Sequence, residues 1–378
     1  MRSHRLLTGY YTGLGLAMAV WGARLPAVQQ AAGLSTAGLS LVLLAAALGM
    51  VAGLQTAGRL AHPARLPALV TGGAIGFAAC LAALGPCDSL ATLLAVALFF
   101  GVAHGVLDVG INSAAVRCQD AVGRPIMGAF HASYSIGALL GAALAAGSTH
   151  ISYTLLFVAV GIVAGAAACA AARASRCLVT AAPEPDPDPG RPVPQSSGGL
   201  SRGRLWLLGA LAAAILLGEG AAADWAAVHL HGLGAPAAVS AAAFALYSGA
   251  MATGRLAADR LTARYGAPAV VRTGAALAAL GLATGLADST IAFALAGWTV
   301  FGLGLSVAVP SLITAAGPGG PRAVAHVSVT GYVGLLAGPT LIGALATLTS
   351  LTTALLLPAL LAAAVAVLSR KALENPAS

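Results

Sequence analysis

A handful of ionisable and amide side chains stand inside long apolar runs of this 378-residue sequence. Charge at membrane depth is costly, so such residues mark either a function or a structural partner. His104, Asp108 and Asn112 are spaced by four, which on a helix puts all three on one face. There the carboxylate can exchange a proton. The carboxamide can both donate and accept hydrogen bonds, as recognition of a polyol or an amide requires. The competing reading is a polar helix–helix contact that only fixes packing. Glu219 and Asp224 form a second set of acids, five residues apart. That is about 140° around a helix, so they do not share a face. His131, with Ser135 one turn on, can titrate or bind a solute, although a lone helix histidine more often only packs. Trp21, Trp225 and Trp298 can stack on a sugar or an aromatic ligand, while Trp21 and Trp225 equally suit an aromatic belt at the membrane surface.

Several chemistries have no residues to carry them. There is no nucleophile elbow, no phosphate loop with a lysine and no metal-ligand spacing. His104, Asp108 and His131 make a poor metal set, and Gly302-x-Gly304 lies within an apolar run as a packing element. No enzyme activity, cofactor or metal is expected. Cys80, Cys87, Cys118, Cys169 and Cys177 show neither redox nor ligand spacing, and no disulfide is expected. The net charge of +8 does not imply nucleic acid, because the basic residues form no patch.

These polar positions need long apolar elements to hold them, and the composition supplies little else. The chain is 59% hydrophobic and 8% charged, with mean hydropathy +0.90. No soluble fold hides that much apolar surface, so the excess faces lipid. Twelve spans are predicted, at 6–26, 37–57, 67–86, 90–114, 127–149, 152–172, 204–230, 237–257, 268–287, 290–315, 324–346 and 350–369. The first is read as a retained helix rather than a signal peptide. With this count, 18 of the 19 basic residues fall on one side and only Arg24 on the other. Positive residues stay cytoplasmic, so both termini are expected inside. A wrong count scatters the charges, so their segregation tests it. Residues 174–203, rich in Pro, Ser and Gly, read as a disordered cytoplasmic linker between an N-terminal half (1–173) and a C-terminal half (204–378). Asp88 and Asp288 read as caps at the starts of spans 4 and 10, and Pro310 and Pro339 as kinks in spans 10 and 11.

The halves repeat one another. Gly58-Arg59-Leu60-Ala61 recurs as Gly254-Arg255-Leu256-Ala257, Phe100-Gly101 as Phe301-Gly302, and Gly137-x-x-x-Gly141 as Gly334-x-x-x-Gly338. The offsets lie between 196 and 201 residues and keep their order. Two parallel six-helix halves joined by a linker resemble the major facilitator superfamily. The resemblance narrows at Trp21-Gly-Ala-Arg24-Leu-Pro26, Asp108-Val-Gly-Ile-Asn112, Phe130-His131-Ala132, Glu219-Gly-Ala and Asp224-Trp225, and Gly331-Tyr332 with Ala337-Gly-Pro339. These look like bacterial transporters of the fucose permease group. The resemblance implies an all-α integral membrane fold of twelve helices in two pseudo-symmetric bundles, working by alternating access. It implies that the acid of span 4, Asp108, handles protons and solute together with Asn112.

It also implies gates. Spans 1 and 7 of the superfamily meet at the outer side, so Arg24 is expected to pair with Asp224 or Glu219 there. The remaining acid is then a second proton or substrate site. The alternative is that Arg24 reaches outward to lipid headgroups. The superfamily's loop motif involves Arg59 in its first copy and Arg255 with Asp259 in its second. The first copy has His62 or Pro63 where an aspartate is usual, so its latch is expected to be weaker or built differently. The expected function is proton-coupled movement of a small polar solute by a monomer in the cell membrane, with drug efflux by proton antiport as the alternative. An intramembrane enzyme or a receptor has no use for acids buried on several facing helices.

Overall fold

The computed structural model describes residues 2–178 and 200–374. They are helical throughout, with no strand among them. The N-terminal half supplies α1 (Arg2–Ala31), α2 (Thr36–Leu60), α3 (Leu66–Leu84), α4 (Leu90–Val122), α5 (Met127–Gly147) and α6 (Tyr153–Ala171). The C-terminal half supplies α7 (Arg202–Gly232), α8 (Ala237–Tyr265), α9 (Ala267–Ala287), α10 (Ile291–Leu305), α11 (Ala308–Ala316), α12 (Gly320–Leu348), α13 (Leu351–Ala354) and α14 (Leu356–Leu373). The pairs α10/α11 and α13/α14 are each one interrupted span, which gives the twelve.

Nine helical stretches are long and apolar enough to cross a membrane, among the described residues, and one of them, Ile291–Leu348, is 58 residues long. At about 1.5 Å per residue that run holds two crossings of a roughly 30 Å core. α1 and α8 have polar ends. α1 carries Arg2, His4, Arg5, Gln29 and Gln30, and α8 carries Arg255, Asp259, Arg260 and Arg264. The outer faces are apolar: Val163, Val367 and Leu348 are 69%, 77% and 81% exposed. In water such a surface aggregates; in lipid it is the expected solvent contact.

Serine starts many of these helices. Ser35, Ser89, Ser152, Ser201 and Ser350 each accept the N–H three residues on, satisfying a donor that the helix leaves orphaned. Asp88, expected to cap α4, yields that position to Ser89, which forms a reciprocal box with Thr92. Asp288 accepts from Thr290 N–H at 2.7 Å, ahead of α10. The turns after α1 and α7 use Gly33 (φ 59°) and Gly234 (φ 82°). This left-handed conformation suits glycine, and the two turns extend the repeat.

The repeat reappears as packing. Gly137 and Gly141 of α5 lie against the backbone of Thr12 and Leu16 on α1. Gly334 and Gly338 of α12 lie against Ala213 and Leu217 on α7. Small residues permit this approach where lipid gives no hydrophobic drive to association. Pro310 breaks its span: the helix is interrupted at Ser306–Val307, where the proline ring crowds the carbonyl four residues back. α12 continues through Pro339 without interruption.

Contacts sort the residues into two compact units. The N-terminal unit comprises Met1–Arg124, Ser133–Gly199 and Gly319–His326, and the C-terminal unit Pro125–Ala132, Leu200–Pro318 and Val327–Ser378. Two short stretches therefore differ from a simple split of the chain: the start of α5 groups with the C-terminal unit and the start of α12 with the N-terminal unit. The linker was expected at 174–203. Ala174–Leu178 is a 3-10 helix in which the Ser175 hydroxyl is buried and bonded to that of Tyr10 at 3.0 Å. The stretch 179–199 lies outside the described residues.

Candidate functional site

α4 crosses close to its neighbours because glycines face them. Gly101 and Gly105 lie against the backbone of α2 at Ala46 and Met50. This buries the face of α4 that carries the polar residues. His104, Asp108 and Asn112 are all buried, at 6%, 6% and 3% exposure. Asn112 organises the cluster. Its Nδ2 donates to the Asp108 carbonyl at 2.9 Å, and its Oδ1 accepts from the Tyr11 hydroxyl of α1 at 2.8 Å. Asp108 is close enough to Tyr11 for their charges to interact. His104 sits beside the Phe77 ring at 5.6 Å between centroids. Ser113, next in sequence to Asn112, is buried with no hydrogen-bond partner on its hydroxyl.

The C-terminal unit holds a different cluster. Glu219 of α7 and Arg255 of α8 form an ion pair at 3.5 Å, with side chains 20% and 9% exposed. Arg255 belongs to the loop motif, but α8 runs on to Tyr265, so the motif is helical here and the guanidinium lies within the bundle. Tyr247, one helical face further along α8, is close enough to both charges to feel them. Its buried hydroxyl has no hydrogen-bond partner. His131, at the start of α5, is near enough to Arg255 for their charges to interact. On α10, Trp298 Nε1 donates to His229 Nδ1 at 3.4 Å.

Two helical bundles of related packing, each with an acid at membrane depth, now have a family to be set against. Residues 7–318 match the Major Facilitator Superfamily. The chain belongs to that superfamily. It is 32% identical over 368 residues to the uncharacterised transporter y4wD of Sinorhizobium fredii, covering 94% of each chain. It is 31% identical over 362 residues to an uncharacterised MFS-type transporter of Yersinia pestis, covering 94% of this chain and 92% of the other. Its fold is similar to that of FucP, named as the fucose:proton symporter of E. coli, with TM-score 0.75, 17% identity and 98% of both chains covered. As an MFS protein it is a multi-pass membrane transporter of a small-molecule substrate, not an enzyme, in a superfamily that works by alternating access.

Within this MFS fold several expected residues take other places. Trp21 and Trp298, considered as stacking platforms, are core residues at 4% and 0% exposure. Trp21 packs on Phe100 and Phe157 with centroids 5.5 and 5.8 Å away, and Trp298 meets Phe301 edge-on at 5.8 Å. Their large rings fill the helix crossings that Ala and Gly leave open. Arg24 Nη2 donates to the Ser148 carbonyl at 2.6 Å and hydroxyl at 3.1 Å, just past the end of α5. Glu219 is engaged by Arg255. Asp224 is exposed on α7. Asp259 receives N–H bonds from Gly128 and Ala129 at 2.8 Å each. Arg59 is exposed beyond the packed part of α2.

Tyr11, Tyr247 and Ser148 escaped the sequence reading. The tyrosines were findable in principle, since the chain has only seven. Ser148 was not, because a backbone carbonyl leaves no trace in sequence. No group of three or more His, Cys, Asp or Glu is placed to hold a metal among the described residues. None of the five cysteines is in a disulfide among the described residues. Outside the spans, burial pushes the Cys87 thiol up, and its Sγ donates to Ala83 O at 3.1 Å.

Proposed function

We propose that this transporter is a proton-coupled carrier of a small polar, sugar-like solute, acting as a monomer in the cell membrane with both termini cytoplasmic. The observation that carries the reading is Asp108 buried beside the Asn112–Tyr11 pair. Asn112 uses one donor and one acceptor site on its own protein and retains one N–H and one lone pair. A solute hydroxyl fits that remaining pattern. Protonation of Asp108 converts an acceptor-only group into a donor, so the proton and the solute change the same hydrogen-bond set. Glu219 supplies a second protonation site whose charge is balanced by Arg255. The likeness to FucP, named a fucose:proton symporter, supports the solute class. The segregation of basic residues supports the orientation. Arg24 and Arg59, with the Arg255–Asp259 motif, are assigned to gating, and His104 and His131 to the margins of the proton path.

The test is flux in proteoliposomes with an imposed pH gradient, using a panel of sugars and natural products. Solute-dependent proton movement is expected in the wild type. Asp108→Asn should abolish it while solute binding and exchange persist. Uptake with the gradient and extrusion against it separate import from drug-type antiport. If the gradient drives movement in neither direction, the coupling claim fails.

A further inference from the structure

The two copies of the Gly-Arg-Leu-Ala motif end differently. In the C-terminal unit the motif continues to Asp259, whose carboxylate takes the Gly128 and Ala129 N–H groups at 2.8 Å each. An internal anion thus caps the first turn of α5, where orphaned donors and the helix dipole favour negative charge. In the N-terminal unit the register position of Asp259 is Pro63. The proline also disfavours helix at the residue before it, so α2 stops at Leu60 where α8 runs on. No carboxylate arrives.

A cavity of about 580 Å³ opens at that point. Arg59, His62, Arg65 and Arg322 line it, together with Gly319 and Pro321 at the start of α12. All of these belong to the N-terminal unit. Gly58 lies against Ala325, so the end of α2 is packed on the start of α12. The ion pairs Arg255–Glu219 and Arg370–Glu374 do not use the cavity's arginines. His62 Nδ1 accepts from Ala64 N–H at 3.4 Å, which leaves Nε2 as the nitrogen able to donate outward. Three guanidinium groups around one cavity with no acid repel one another. Their forked donors match the oxygens of a phosphate.

We propose that this cavity binds a phosphate-type anion, which stands in for the carboxylate that the first motif lacks. The chemistry is shared by two sources, a free phosphate ion and the headgroup of an anionic phospholipid. The volume admits either, and the cavity opens at the helix ends, where both are available.

The experiment titrates stability of the purified full chain. One arm adds inorganic phosphate in neutral detergent, against chloride at matched ionic strength. The other reconstitutes the protein in bilayer discs of phosphatidylcholine with increasing phosphatidylglycerol. A rise in Tm with phosphate identifies a free-anion site, and a rise only with phosphatidylglycerol identifies a headgroup site. Either rise should vanish in the Arg59→Gln/Arg65→Gln/Arg322→Gln triple variant. Each single variant should weaken the apparent affinity about two- to fivefold and covers the case in which the triple variant does not fold. Pro63→Asp, which returns a carboxylate to the register of Asp259, should abolish the response with all three arginines in place. The proposal is overturned if neither anion raises Tm, or if the single variants respond like the wild type. An unchanged response in Pro63→Asp overturns the claim that the anion replaces the carboxylate.

Discussion

In the N-terminal unit Asn112 ties Tyr11 to the backbone of α4 beside Asp108, whereas in the C-terminal unit Glu219 meets the guanidinium of Arg255. The scaffolds around them are alike: α5 meets α1 through Gly137 and Gly141 as α12 meets α7 through Gly334 and Gly338. The chemistry set into them is not. A hydrogen-bonded amide and phenol can be rearranged one bond at a time. A buried ion pair is all or nothing, because either charge left alone is costly. The difference is one of chemistry, a neutral hydrogen-bonded set on α4 against an ion pair between α7 and α8.

The strongest way to break this contrast is to remove one charge. Glu219→Gln takes the acid away from a buried guanidinium that cannot give up its proton, at a cost of about 2–4 kcal/mol. Arg255→Gln should cost less, since a stranded carboxylate can neutralise itself by taking a proton. The double variant should recover most of the loss. Thermal unfolding in detergent measures all three, and a larger loss in Arg255→Gln than in Glu219→Gln contradicts the ion-pair account. A second, smaller effect concerns the helix start that the C-terminal unit caps. Asp259→Asn should cost about 1–2 kcal/mol and speed amide exchange at Gly128 and Ala129 roughly tenfold. Exchange unchanged at those two amides rules out the cap. The smallest effect sharpens the comparison most. Tyr11→Phe removes the donor to Asn112 and should cost about 1 kcal/mol. Tyr247→Phe removes a buried hydroxyl that has no partner and should be neutral or slightly stabilising. Equal losses in the two variants would mean that the halves do not differ in the way described.

Much of the fold was readable before any coordinates. Helices run on past the expected spans: α1 continues to Ala31 beyond 26, α4 to Val122 beyond 114, and α8 to Tyr265 beyond 257. Hydropathy reports where lipid ends, whereas a helix continues as long as its backbone bonds are made. The Asp108 face was readable because a spacing of four has one meaning on a helix. The partners were not. Nothing in the sequence tells that Arg24 bonds the Ser148 carbonyl, or that Trp21 and Trp298 pack on phenylalanine rings.

The sequence by itself determined a chain of twelve spans in two related halves, and its motifs carried the resemblance to a transporter superfamily. Apolar length, the segregation of arginines and a constant repeat offset are each local or periodic quantities, and they need no knowledge of contacts. Only the tertiary structure decided who pairs with whom: Arg255 with Glu219, Tyr11 with Asn112, Asp259 with the start of α5. The physical reason is range. Burial in lipid acts on every residue of a helix alike, but a hydrogen bond or ion pair is made over a few ångströms between residues up to 174 positions apart. Their meeting depends on how the helices cross.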